Sequence, residues 1–161
     1  MNTLNEQKQN TDCPYRIVES AEHRAKNNII LPLSLYQIYA EELSDRLDVG
    51  LFLDSDQEVQ DIKGYLSRIP IILLNFPHFS DGRAYSKAVQ LRQEYKFGGE
   101  IRAHGDVRLD QLLEMQRCGF DSYTLGSADV DYFLTKGAKR FSYPYQTSIL
   151  DPEPLFRIRT P

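Results

Sequence analysis

"IPIILLNFPHFSDGRAYS", residues 69–86, carries an apolar run into a turn and then into a helical pattern. An apolar run of this length, bounded by turn residues, reads as a strand buried on both faces. Pro77, Ser80, Asp81 and Gly82 are turn formers that stop the strand. Beyond them Ala84, Ala88, Leu91 and Tyr95 recur at spacings of four, three and four, the stripe of a helix laid on a core. Strand, turn and helix in that order make one βα unit.

The same alternation recurs on either side. Residues 49–53 read as a buried strand, and Ser55 with Glu58 as a capping box opening a helix with Val59, Ile62 and Leu66 on one face. Farther back, Ser34 and Gln37 predict another capping box, with Leu35, Ile38, Tyr39, Leu43 and Leu47 along one stripe. Residues 15–18 suggest a short strand. Downstream, Gly98 and Gly99 end the unit and residues 100–103 read as a shorter, more polar strand. Leu109, Leu112, Leu113 and Gln116 form the next stripe, stopped by Gly119 at a left-handed cap. Residues 120–125 predict a fourth strand, Gly126 and Ser127 a turn, and Val130, Phe133 and Leu134 a fourth helix. Residues 141–146 predict a last strand, held to an edge by Pro144.

Four alternations predict an α/β fold: a single domain of βα units on a mostly parallel sheet with right-handed crossovers. Residues 1–12 read as a flexible polar tail, 13–146 as the domain and 147–161 as a C-terminal extension. Two architectures satisfy the pattern, an open flavodoxin-like sandwich and half of a (βα)8 barrel. The sandwich is the preferred expectation, because a half barrel needs a partner to close it.

Composition narrows the function classes. With 161 residues, 41% hydrophobic and 26% charged, the chain suits one domain with a real core. A net charge of −4 without a basic stripe disfavours nucleic acid. No run approaches the ~20 apolar residues of a membrane span. The polar first ten residues lack the apolar core of a signal peptide, so a cytoplasmic protein is expected. Cys13 and Cys118 alone cannot form a disulfide framework, ligate an iron–sulfur cluster or build an all-cysteine zinc site. Neither a metal nor a cofactor is expected, since no glycine-rich dinucleotide fingerprint follows a strand. A homo-oligomer is compatible with the sequence.

Parallel α/β folds bind ligands where strands end and helices begin. Asp54-Ser55, residues 75–83, His104-Gly105-Asp106 and Gly126-Ser127 follow strand ends, and the longest of these loops carries His78, Asp81, Gly82 and Arg83. A helix N-terminus offers free N–H groups and partial positive charge to an anion. Gly82 lets backbone approach closely, Arg83 and Arg102 supply bidentate donors, and Tyr85 and Ser86 complete the shell. His104, with Gly105 and Asp106, offers a proton-exchanging group at the neighbouring strand end. The candidate anion-binding set is therefore Asp81, Gly82, Arg83, Tyr85, Ser86, Arg102, His104, Gly105 and Asp106. The simpler reading makes Asp81 and Asp106 helix N-caps and nothing more. Cys118 falls at the opposite end of the sheet and reads as a small buried filler.

Three stretches, "FPHFSDGRAYSKAVQLR" (76–92), "GEIRAHGDVRLDQL" (99–112) and "MQRCGFDSYTL" (115–125), resemble the signature segments of a bacterial family of unknown function. Its members are commonly labelled oxidoreductases of sulfite reduction, and are often encoded beside the sulfite reductase haemoprotein subunit. The resemblance spans about residues 30–146 and also covers Arg92, Asp110, Gln111, Arg117, Cys118, Gly119, Phe120 and Asp121. Its pattern has a small or apolar residue where this chain has His104. What the resemblance implies is a role in assimilatory sulfur metabolism; because the chain offers no ligands for a redox centre, the preferred expectation is an accessory of sulfite reduction that binds the haemoprotein subunit, a small oxyanion or both. The alternative is an independent enzyme acting on a phosphorylated or sulfonated metabolite.

Overall fold

Among the residues that the computed structural model describes, 15–18, 27–125 and 148–149, six strands form one sheet. They are β1 (Arg16–Ile17), β2 (Ile29–Pro32), β3 (Val49–Leu53), β4 (Ile71–Phe76), β5 (Glu100–Gly105) and β6 (Ser122–Tyr123). Between them run α1 (Leu33–Ile38), a 3-10 helix (Val59–Tyr65) and α2 (Arg83–Gln93), then a 3-10 turn (Leu109–Gln111) leading into α3 (Leu112–Cys118). No helix among the described residues is long and apolar enough to cross a membrane.

All neighbouring strands are parallel, and their order across the sheet is their order in the chain. A doubly wound sheet requires the chain to reverse its travel across the sheet. Here it never does, and the sheet curls as half a barrel. The expected α/β class is found, in the half-barrel form and not the preferred open sandwich. Each βα unit has the same periodicity whichever side the next strand joins, so strand order left no mark for the pattern to reveal.

Strand alternation sorts the core into two layers. Ile72, Leu74 and Phe76 of β4 face the helices, where they meet Tyr36, Ile62, Ala88, Leu91, Leu112 and Met115. Ile71 and Leu73 point the other way, toward Ile30, with Tyr15 and Phe52 packed alongside. Burying each such Leu or Ile stabilises the fold by about 1.5–3 kcal/mol. In β5 the same alternation sends Ile101 and Ala103 to the helix layer and Arg102 and His104 to the opposite face.

Several boundaries differ from the sequence expectation. β2 is not anticipated there at all: it is short, and Pro32 at its end passes straight into α1 as the N-cap, without a side-chain cap. Ser34 therefore sits inside the helix instead of capping it. α1 stops at Ile38, so the expected long stripe is broken; Leu43 is buried, while Ile38 and Leu47 are 70% and 73% exposed. The second capping box is displaced as well. Glu58 is the N-cap, its N–H donating to the Asp61 carboxylate at 3.3 Å, which frees Ser55 for the rim. The turn at 126–127, the helix around 130–134 and the strand at 141–146 lie outside the described residues.

Gly119 takes the left-handed cap expected of it, with φ 101°. Gly105, paired in register with Phe76, also has positive φ, at 99°. A Cβ on Gly105 would lie 2.3 Å from the Phe76 carbonyl oxygen and 2.8 Å from Asn75 Oδ1, so the two strand ends touch only because this residue has no side chain. Gly105→Ala should lower stability by more than the roughly 1–2 kcal/mol of left-handed strain alone, read as a fall in the denaturant midpoint. Gly82→Ala should stay within about 0.5 kcal/mol of the parent, because Gly82 has φ −82° and open space around its Cα.

Candidate functional site: the carboxyl rim of the sheet

Asp54, the residue after β3, organises one half of the rim. Its Oδ1 accepts from the Ser55 N–H at 2.7 Å and from Asn75 Nδ2 at 2.9 Å. The Asn75 hydrogen bond is the main reason its carboxyl lies below the ordinary value, against the opposing effect of burial. Beneath it the buried Lys87 ammonium donates to the backbone carbonyls of Asp54 and Ser55, both at 2.8 Å. Burial pulls Lys87 below its ordinary pKa, with Glu58 opposing. Above it, Arg83 Nη2 donates to Ser55 Oγ at 2.9 Å.

Asp81 faces Arg83 as a two-point partner. Arg83 Nε donates to Asp81 Oδ1 at 3.0 Å and Nη2 to Oδ2 at 2.7 Å, while the Arg83 backbone N–H also reaches Oδ1 at 3.1 Å. The guanidinium holds the Asp81 carboxyl down at about 2. Asp81 is thus half a cap: it takes one N–H of the α2 N-terminus from just outside, Gly82 being the N-cap. The Arg83 side chain remains 57% exposed, and its Nη1 has no hydrogen-bond partner among the described residues.

The other half of the rim is a stitch between the loops after β4 and β5. The Asp106 N–H donates to the Phe76 carbonyl at 2.8 Å. Asp106 Oδ2 then accepts from the Phe79 N–H at 3.0 Å, so this carboxylate ties the preceding loop and does not cap the helix that follows. Gln111 Nε2 donates to the Phe79 carbonyl at 2.7 Å, while its Oε1 accepts from the Arg108 N–H at 3.2 Å.

The remaining candidates stand elsewhere. Arg102 is buried on the face turned from the helices, donating to Ser122 Oγ at 2.8 Å and to Glu100 Oε1 at 2.6 Å. His104, on the same face, has Nδ1 3.4 Å from Thr124 Oγ1 and its ring edge-on to Phe52. Burial, reinforced by the Arg102 charge, lowers its pKa and favours the neutral imidazole. Tyr85 packs edge-on between Phe76 and Phe120, and burial pushes its phenol up to about 12. With Ser86, Gln90 and Cys118 it lines a groove of about 330 Å³ between α2 and α3. Cys118 is only half-buried there, and desolvation followed by Glu114 raises its thiol pKa. The rim therefore assembles Asp81, Gly82, Arg83, Gly105 and Asp106, whereas Arg102 and His104 share a second face and Tyr85 and Ser86 a third surface. Among the described residues no three His, Cys, Asp or Glu side chains gather so as to hold a metal ion.

Lys87 and Arg108 are rim residues that sequence reasoning misses, and only Lys87 left a signal. That signal is a lysine within the apolar stripe of Ala84, Ala88 and Leu91, where an unpaired charge is rarely tolerated. Arg92 is a second such hub, at the amino end of the sheet. It donates to the carbonyls of Gly119 at 3.0 Å and Gly99 at 2.9 Å, to that of Phe97, and to the Asp121 carboxylate, which also accepts from the Ile101 N–H at 2.7 Å.

Fold and rim together define a parallel α/β half barrel whose strand-to-helix loops are laced by carboxylates and a buried lysine. The chain belongs to the family described as bacterial protein of unknown function (DUF934), whose model matches residues 50–156. The match begins at Gly50 in β3 and so includes every rim residue named above, while β1 and β2 precede it. No curated protein matches the chain.

Two outcomes follow from these contacts. Arg92→Ala should destabilise by about 1.5–3 kcal/mol, the scale of losing charge-assisted bonds to buried groups, whereas Arg83→Ala should leave the melting temperature nearly unchanged because its pair is exposed; thermal melts of both separate the cases. A carboxyl 13C titration should place Asp81 at about 2. Since the folded value is the depressed one, the pairing contributes fully above the unfolded carboxyl range and is lost as pH falls through the folded value. An ordinary midpoint near 3.9 would mean that the Arg83 pairing does not form in solution.

Proposed function

We propose that this protein is an accessory of assimilatory sulfite reduction, acting by binding a sulfite reductase subunit, a small oxyanion or both at the carboxyl rim of its sheet. The observation that carries the reading is Arg83: Asp81 and Ser55 hold its guanidinium in place, yet Nη1 and much of its surface stay open. A side chain already fixed loses little freedom on binding, so its open edge is a prepared donor for a carboxylate or an oxyanion. Asp81 takes the place a free anion would prefer at the α2 N-terminus, so any anion shares Arg83 with it. That sharing favours weak, exchangeable contact over tight retention. Sulfur metabolism itself is supported by the three signature stretches at 76–92, 99–112 and 115–125, two of which supply Asp81, Arg83 and Asp106 to the rim.

The test is growth of a deletion strain. Sulfide should restore growth, and sulfate or sulfite should not. A chromosomal Arg83→Ala change should reproduce the defect while the protein accumulates and melts like the parent. Normal growth of the deletion strain on sulfate would overturn the reading.

A further inference from the structure

Among the described residues the exposed large hydrophobic side chains are Ile17, Ile38, Leu47 and Phe79. Phe79 differs from the others in how it is held. Its N–H is bonded by Asp106, its carbonyl by Gln111, and the Arg108 guanidinium lies 4.2 Å from its ring centroid. Asp106 and Gln111 each also engage Arg108, through an ion pair at 3.6 Å and a backbone bond at 3.2 Å. Three residues of the segment after β5 thus hold Phe79, two by its backbone and one against its ring, yet the residue is still 48% exposed. Ordering an exposed aromatic costs conformational entropy and removes only part of its apolar surface from water, so the arrangement serves folding poorly. It suits binding, where prior ordering lowers the cost of association and aromatic and arginine side chains form the energetic centre of interfaces.

The charge of the site selects the occupant. Three carboxylates of the rim already accept hydrogen bonds: Asp54 from Ser55 and Asn75, Asp81 from Arg83, and Asp106 from Phe79. Two guanidinium edges nevertheless face outward: Arg108 is 53% exposed and meets Asp106 only at 3.6 Å, and Arg83 Nη1 has no hydrogen-bond partner among the described residues. A two-fold contact of this patch with itself would set arginines against arginines. We infer that Phe79 and Arg108 form a docking anchor for a distinct protein whose surface offers an apolar pocket edged by Asp or Glu carboxylates. The inference rests on the accessory reading only in expecting that protein to be a sulfite reductase subunit.

Photo-cross-linking in cells growing on sulfate tests both levels. A benzoylphenylalanine in place of the exposed Ser80 leaves Phe79 and Arg108 intact. The expected result is one cross-linked partner whose attachment point lies beside an apolar pocket with Asp or Glu at its edge. Phe79→Ala and Arg108→Glu should each lower the yield about tenfold, the scale of a lost anchor, with unchanged melting. Changing the partner's acidic residue to Arg should restore the yield with Arg108→Glu. Such a partner outside sulfite reductase sustains the anchor and overturns the expectation that this partner is a sulfite reductase subunit. Cross-links solely to a second copy of this chain, no cross-link, a contact without acidic residues, or a yield indifferent to Arg108→Glu would each overturn the anchor.

Discussion

The rim depends on one close approach of backbone to backbone. β4 is flanked by parallel strands on both edges and apolar on both faces, and its last residue, Phe76, lies against Gly105 at the end of β5. Because Gly105 carries no side chain, the chain can turn there with positive φ and bring the Asp106 N–H onto the Phe76 carbonyl. That single bond sets Asp106 where its carboxylate meets Phe79. Phe79, Asp81 and Arg83 then follow within the same short loop. Were the strand ends a little farther apart, the two loops would be separate surface features, each solvated on its own.

Punctuation was legible in the amino-acid sequence, and adjacency was not. The break at Pro77, the stripe of Ala84, Ala88 and Leu91, and the left-handed Gly119 each act through neighbours in the chain, so their residue types declare them. The order of strands, the side of the sheet reached by Arg102, and the partner of Asp106 are set by residues 20 to 30 positions away. Local signals also compete. Ser55 followed by Glu58 looks like a capping box, yet Glu58 caps the 3-10 helix and Ser55 receives Arg83. Pro32 ends β2 and begins α1 at once, so neither element shows the flanks by which it would be recognised.

The signature stretches mix two kinds of residue. Asp81, Arg83 and Asp106 gather at the carboxyl rim, whereas Arg92, Gly119 and Asp121 are joined at the amino end, where Arg92 collects three carbonyls and a carboxylate. The second group locks α2 to the turns before β5 and β6, and so fixes the angle at which the helix presents its first turn to the rim. A motif of this kind specifies both the bench and the tool. Tyr85 belongs with the bench, its ring filling the space between Phe76 and Phe120.

Lys87 gives the molecule an ion it can never release. Its ammonium sits under the carbonyls of Asp54 and Ser55, shielded from bulk solvent, where dissolved salt screens it little. Arg83 and Arg108 point outward, in the range that dissolved salt reaches. One contact beneath the rim is thereby held where dissolved salt reaches little, while the guanidinium groups above it lie within the range of screening.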